Sequence, residues 1–421
     1  MSKFIIEGGK PLKGEIKASG NKNAALPIIA ATVLTDEECI LENMPNIRDV
    51  QAMFDILRDR GKTVERTSET SYQMSGQVTH TKRSRNLVQK LRASILYMGA
   101  LLAKTGEAAI APPGGCVIGR RHLEPHFVAL TDLGAQVNQT DSFFTARILA
   151  RQPANTFLTE ASVTATENAL LFAATNPNES IIENAACEPH VGDLAVALKK
   201  MGVSIAGINS NRLHIKGCSK PKGFHHQIIS DHIEVGTFAI LAASTGSKLA
   251  IHSVHKTHMR KPDFYFEKMG VRLDYSPDGK TLAVSANSLK APTSQIQVGL
   301  WPNFPTDLMS PMICLATQAE GTTLCHDWMF ESRMFFVDKL IAMGANITLC
   351  DPHRVLVSGP TQLRGQNLSS PDIRAGIALV IAALSARGTS TIENVELVDR
   401  GYEDIVGRLQ QLGANIERVT A

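Results

Sequence analysis

Cys116 lies in Pro112-Pro113-Gly114-Gly115-Cys116-Val117-Ile118-Gly119-Arg120-Arg121-His122-Leu123-Glu124-Pro125-His126, a lone thiol among prolines, glycines, arginines and histidines. Proline and glycine disfavour a helix or a central strand, so the segment reads as an accessible loop. Adjacent guanidinium groups favour a thiolate and attract anions, which suits acid, base or nucleophilic chemistry at sulfur. A surface turn that happens to hold a cysteine is the other reading of the loop taken alone.

Further polar groups stand at the entries of apolar segments. Lys22 and Asn23 follow Ser19-Gly20-Asn21, where a glycine turn enters an alanine-rich run. A helix start there would offer N–H groups and a cation to an anion, although a solvated lysine fits the same pattern. Arg92, Arg374 and Arg400 also stand at helix entries, in Leu91-Arg92-Ala93-Ser94, Asp372-Ile373-Arg374-Ala375 and Asp399-Arg400-Gly401-Tyr402-Glu403. Each could be a surface ion pair. With Lys22 and Arg121 they could instead hold a multiply anionic ligand through planar, bidentate contacts. Asp307, in Phe304-Pro305-Thr306-Asp307, reads either as a helix N-cap or as a general base for a hydroxyl proton.

Composition excludes several classes. The 421 residues carry 43 basic and 40 acidic side chains, a net charge of +3, too slight for a nucleic-acid or anionic-membrane binder. Seven cysteines (39, 116, 187, 218, 314, 325 and 350) are scattered without a CxxC pair, which argues against a disulfide framework and a zinc site. His122, His126, His225 and His226 lack a convincing ligand spacing, so neither metal nor cofactor is expected. The first residues are too poor in apolar side chains for a signal peptide, and no run of about 18 apolar residues follows, so the expectation is a soluble cytoplasmic protein.

The elements that must position these groups come from an internal repeat. Six copies of an apolar residue followed by a glycine four positions on and a β-branched or leucine residue seven positions on occur at 57–64, 130–137, 198–205, 266–273, 340–347 and 409–416. Their glycines, 61, 134, 202, 270, 344 and 413, are 73, 68, 68, 74 and 69 residues apart. Each copy reads as a helix stopped by a positive-φ glycine and followed by a strand. A second recurring element, at 28–43, 98–111, 170–184, 238–252, 312–326 and 380–394, reads as an apolar helix entering a short strand. The expectation is a mixed α/β protein of six units in two sets of three. A chain crossing near residue 21 and returning near 230 would put residues 22–229 in one lobe and 1–21 with 230–421 in the other, with the ligand site in the cleft between them.

The repeat plan, together with Ser19-Gly20-Asn21-Lys22-Asn23-Ala24-Ala25, Leu91-Arg92-Ala93-Ser94, Pro113-Gly114-Gly115-Cys116-Val117-Ile118-Gly119, Phe304-Pro305-Thr306-Asp307 and Asp399-Arg400-Gly401-Tyr402-Glu403, resembles the UDP-N-acetylglucosamine 1-carboxyvinyltransferase family over essentially the whole chain. The resemblance implies a two-domain inside-out α/β barrel built from six βαβαββ-like repeats. It implies transfer of the enolpyruvyl group of phosphoenolpyruvate to the 3-hydroxyl of UDP-N-acetylglucosamine by addition and elimination, with release of phosphate, in the first committed step of peptidoglycan synthesis. Cys116 would protonate C3 of phosphoenolpyruvate and be open to alkylation by fosfomycin, and Asp307 would deprotonate the sugar hydroxyl. Lys22, Asn23, Arg121, Arg374 and Arg400 would hold phosphoenolpyruvate. Arg92, Arg121, His122, Leu123, Glu124, Pro125, Glu160, Ala161, Ser162, Val163, Asp307 and Met329 would line the nucleotide sugar, with Arg333 and Asp372 completing the cleft.

Three positions depart from the family's pattern. Glu160 stands where many relatives have a lysine, Ser332 where asparagine is commoner, and His122 follows Arg121 in place of proline. Two alternatives accompany this reading: an enolpyruvylshikimate phosphate synthase-like transferase, which the cysteine loop argues against, and an inactive nucleotide-sugar-binding paralogue.

Overall fold

The repeat glycines 61, 134, 202, 270, 344 and 413 all adopt positive φ, between 84° and 102°, each turning a helix end into the following strand. The architecture was read from a computed structural model, which describes residues 2–80, 85–114, 118–119, 121–140, 142–292 and 295–420. The chain forms two compact units. One comprises Met1–Ser19, Val117–Arg120 and Ser230–Ala421, and the other Gly20–Cys116 and Arg121–Ile229. They are called below the Asp307 unit and the Lys22 unit.

Five of the six repeats fold as βαβαββ, and the second lacks the leading strand among the described residues. In the third, strand Ala154–Phe157 leads to helix Val163–Ala173, strand Glu179–Glu183, helix Pro189–Lys200 and strands Ser204–Ala206 and Arg212–Lys216. The strands on either side of the first helix pair in parallel, Ser180 opposite Ala154, and the last two close an antiparallel hairpin. Among the described residues each unit holds three separate sheets, five of the six with four strands and one with three. No sheet closes into a barrel among the described residues.

Two leading strands are exchanged. Lys13–Lys17 pairs in parallel with Lys248–His252 in the Asp307 unit, and His225–Gln227 pairs with Cys39–Glu42 in the Lys22 unit. The sixth repeat closes on the other end of the sequence, because strand Ser2–Glu7 lies antiparallel between Thr389–Glu393 and Asn415–Thr420.

The first helix of each repeat is mostly apolar and buried on nearly every side, whereas the second is more exposed. His232–Ser244 and Met309–Thr317 are buried at every residue, and Ile373–Ser385 at all but its last. Arg48–Asp59 instead buries Val50, Met53, Phe54 and Leu57 at helical spacing and turns Arg58 and Asp55 outward. In the Asp307 unit the three buried helices pack on one another, and in the Lys22 unit helix Leu96–Thr105 packs on both Lys22–Ala31 and Val163–Ala173. No helix among the described residues is long and apolar enough to cross a membrane.

Candidate active site

Asp307 is the focus of the polar groups in its unit. It sits in the 3₁₀ turn Thr306–Leu308 ahead of helix Met309–Thr317, which no side chain caps, so the N-cap role is not the one it plays. Its Oδ2 accepts from Arg374 Nη2 at 2.7 Å, and its Oδ1 from Arg333 Nη2 at 3.4 Å. Gly236 of helix His232–Ser244 lets that helix approach, since a Cβ there would lie 2.6 Å from Leu308 Cδ1.

Both arginines are buried and held from behind. Arg374 opens helix Ile373–Ser385, whose cap Asp372 accepts from the backbone N–H groups of Arg374 at 2.8 Å and Ala375 at 3.1 Å. Its Nη1 donates to Tyr402 Oη at 3.1 Å. Burial works against the Arg374 charge, but Asp307, Tyr402 and Asp231 outweigh it and the net shift is upward. Arg333 stacks over the Phe330 ring and lies 3.9 Å from both Asp327 Oδ2 and Asp372 Oδ1. Asp327 is itself fixed by the N–H groups of Met329 at 3.0 Å and Phe330 at 3.3 Å. A guanidinium pair set against one carboxylate favours the anion at pH 7 and fixes where its lone pairs point.

His232, in the first turn of its helix, is also close to this centre. Burial, with Arg374 adding to it and Asp307 opposing, lowers its pKa to about 4, so it is neutral at physiological pH. Arg400 ends the turn Val395–Arg400. The following Gly401 lies so near helix Ile373–Ser385 that a Cβ would come within 2.7 Å of Ile373 Cγ2.

The Lys22 unit carries the cations Lys22, Arg92 and Arg121. Lys22 begins helix Lys22–Ala31, capped by Asn21, whose Oδ1 accepts from Ala24 N at 2.8 Å. Its Nζ lies 2.8 Å from Asp49 Oδ2 with both side chains largely buried, so it is a placed cation and not a solvated one. Asn23 follows, half-buried. Arg92 Nη2 donates to the carbonyls of Arg121 and, at 3.1 Å, His122. That contact ties down the main chain before Leu123 and the helix Glu124–Asp132, in which Pro125 occupies the first turn. Burial first, then the charge of Arg121, lowers the Arg92 pKa to about 10, with Glu160 opposing. Glu160 therefore faces Arg92 electrostatically. Ala161 and Ser162 follow it, and Ser162 caps helix Val163–Ala173. Gly114 lies against Gln89 with room for no side chain, a Cβ there falling 1.7 Å from Gln89 O. Cys116 itself lies outside the described residues, and the expectation for it carries no geometry.

Comparison with known proteins gives one consistent result. The family model described as EPSP synthase (3-phosphoshikimate 1-carboxyvinyltransferase) matches residues 6–409. The chain is 48% identical over 427 residues to UDP-N-acetylglucosamine 1-carboxyvinyltransferase of Treponema denticola, covering 99% of both chains. It is 46% identical to the protein of that name from Borreliella burgdorferi, covering 100% of this chain and 99% of that one. The chain belongs to the UDP-N-acetylglucosamine 1-carboxyvinyltransferase family.

Solved structures agree on the enolpyruvyl transferase fold. The enolpyruvyl transferase NikO from Streptomyces tendae superposes with a TM-score of 0.88 at 22% identity, over 100% of this chain and 99% of that one. EPSP synthase from Acinetobacter baumannii gives 0.74 at 18%, over all of both chains.

Among the positions expected to act in a carboxyvinyltransferase of this family, Asp307, Arg333, Arg374 and Asp372 come together in one unit, and Arg92, Arg121 and Glu160 in the other. Several supporting residues were not anticipated. Asp49 pairs Lys22, Asp327 fixes Arg333, and Tyr402 and Thr237 stand behind Arg374. His126 is structural. Its Nδ1 meets Asn168 Nδ2 at 3.1 Å and its Nε2 meets Thr164 Oγ1 at 3.1 Å, while Asn168 Oδ1 accepts from Gly99 N at 2.7 Å. Only Tyr402 had a signal in sequence, its place inside the Asp399–Glu403 motif.

Proposed function

We propose that this protein transfers the enolpyruvyl group of phosphoenolpyruvate to the 3-hydroxyl of UDP-N-acetylglucosamine, releasing inorganic phosphate. The observation that carries this reading is the full-length likeness, 42–48% identity, to curated relatives bearing that activity's name. The Asp307 centre is suited to it. A carboxylate kept ionised by Arg333 and Arg374 can accept the sugar hydroxyl proton as that oxygen bonds to C2 of phosphoenolpyruvate. Cys116 supplies the proton that converts C3 to a methyl group. Elimination then returns one C3 hydrogen to a base, the C2–O bond to phosphate breaks, and phosphate departs.

Lys22, Asn23, Arg121, Arg374 and Arg400 hold the phosphate and carboxylate of phosphoenolpyruvate. The segments 121–125 and 160–163 hold the nucleotide sugar together with Arg92, Asp307 and Met329. Fixed cations aimed at these anions need no reorganisation as charge moves during the addition step. Fosfomycin, an epoxide, alkylates the Cys116 thiol in this reading.

Running the reaction in D2O tests the addition–elimination path. Product whose vinylic carbon carries solvent deuterium supports it, and product wholly free of deuterium overturns it.

A further inference from the structure

Behind Arg374 runs a chain of hydrogen bonds whose direction can be worked out. Thr237 Oγ1 has one proton and donates it to the carbonyl of Ile233, at 2.8 Å, one turn earlier on its helix. The same oxygen lies 3.0 Å from Tyr402 Oη, so it must accept there and Tyr402 must donate. With its only proton committed, Tyr402 Oη turns a lone pair outward, and Arg374 Nη1 donates to it at 3.1 Å. Arg374 Nη2 is left to donate to Asp307 Oδ2 at 2.7 Å. Every proton in the series Arg374, Tyr402, Thr237, Ile233 points the same way.

This arrangement constrains one rotation. A guanidinium is planar, so fixing Nη1 on Tyr402 fixes the direction in which Nη2 projects. The Tyr402 ring adds to this, with the Arg374 guanidinium carbon 5.6 Å from its centroid. Tyr402 is 1% exposed and Thr237 1%, so water has no ready access to replace either hydroxyl.

The turn carrying Tyr402 is anchored a second time to the same helix. Glu234 Oε1 accepts from Arg408 Nη1 at 2.5 Å, Arg408 Nη1 reaches the Glu403 carbonyl at 3.5 Å, and Glu403 Oε2 accepts from Ser19 Oγ at 3.2 Å.

We propose that Tyr402 and Thr237 are positioning residues for the reaction, which hold Arg374 so that it presents one N–H to the Asp307 carboxylate and keeps that carboxylate oriented and ionised. The inference rests on the reading of Asp307 as the general base. Without the Tyr402 hydroxyl, Arg374 Nη1 loses its acceptor in a dry site and the guanidinium can rotate off Asp307. The Asp307 carboxylate then binds a proton more readily, and the acid limb of the pH–rate profile moves to higher pH. Among the described residues, other charged or titratable groups that face this pair are unchanged in the variant: Arg333 and His232 toward Asp307, Asp231 toward Arg374, and Asp327 and Asp372 toward Arg333.

Tyr402→Phe, Thr237→Val and Thr237→Ser test this, with phosphate release followed against pH and thermal unfolding followed in parallel. Tyr402→Phe is expected to lower kcat roughly 10- to 100-fold with KM for UDP-N-acetylglucosamine within about threefold of wild type, and to move the acid limb upward. Thr237→Val moves it in the same direction by less, and Thr237→Ser, which keeps the hydroxyl, restores wild-type behaviour. A Tyr402→Phe enzyme whose acid limb is unmoved overturns the inference, even if its unfolding temperature falls. Asp307→Asn, run alongside, separates the two claims. An inactive Asp307→Asn beside an unmoved Tyr402→Phe profile refutes the positioning role alone, whereas an Asp307→Asn enzyme with full turnover refutes the general-base reading and the inference with it.

Discussion

Arg374 reaches Asp307 from the first turn of a helix buried along nearly its whole length, its Nη2 2.7 Å from Oδ2, while Arg333 approaches the other oxygen at 3.4 Å. A carboxylate so placed has its charge secured by two guanidinium groups and its lone pairs set in direction. Asp307→Asn keeps the volume and removes the proposed base. Turnover is expected to fall by roughly 10²- to 10⁴-fold. Binding of UDP-N-acetylglucosamine, followed by calorimetry, is expected to persist.

The Cys116 loop is expected to carry the reactive thiol. Intact-mass spectrometry after incubation with fosfomycin should show one added inhibitor mass, absent from Cys116→Ser. An unmodified wild-type chain would remove the argument for an accessible, activated cysteine.

Glu160 raises the pKa of Arg92 electrostatically, and in the proposed reading it competes with an anionic nucleotide for that cation. Glu160→Gln is therefore expected to lower KM for UDP-N-acetylglucosamine by about two- to fivefold, an effect that shrinks with added salt as for any exposed charge. Steady-state kinetics at two ionic strengths would measure both.

His126 joins helix Glu124–Asp132 to helix Val163–Ala173 and is buried as the neutral imidazole. Burial, reinforced by Arg92 and Arg121, lowers its pKa to about 3. The unfolded chain binds a proton below about pH 6.5, whereas the folded chain resists until about pH 3. The stability contributed by this histidine is thus present above pH 6.5 and lost as the pH falls toward 3, by about 2 kcal/mol at pH 5. His232, with a pKa of about 4, acts in the same sense, and the buried acid Glu167, raised well above its ordinary value by burial and Glu188, acts in the opposite one. The difference between wild type and His126→Gln isolates the first. Denaturant unfolding at pH 7 and pH 5 should show the wild type losing more stability than the variant.

The repeat was legible because its marker is a physical requirement. A helix that must turn into a strand needs a positive-φ residue, and all six predicted glycines have one. The repeat carries a second marker. Asn43, Asn184 and Asn394 each follow a repeat strand in the left-handed region, and the Nδ2 of each bonds near the end of the leading strand, to Ile228 O, Leu158 O and Ser369 Oγ. Asparagine tolerates that conformation, but it also occurs freely in turns, so the pattern is weak until the pairing is known.

At the site, the charged groups stood out because arginine and aspartate at the entries of apolar helices are costly unless partnered. Their partners did not. Asp49, Asp327 and Thr237 are far in sequence from the groups they hold, and nothing local distinguishes Thr237 from any helical threonine. Asp307 had an equally good local reading as a cap, which the uncapped helix start and the long-range contacts with Arg333 and Arg374 displace.

The central claim is the identity of the donor and acceptor, and inorganic phosphate formation reports it most directly. With phosphoenolpyruvate present, the wild-type protein is expected to release phosphate in step with added UDP-N-acetylglucosamine and to release none above background with shikimate 3-phosphate. Release that depends on shikimate 3-phosphate, or no release with either acceptor, would contradict the account.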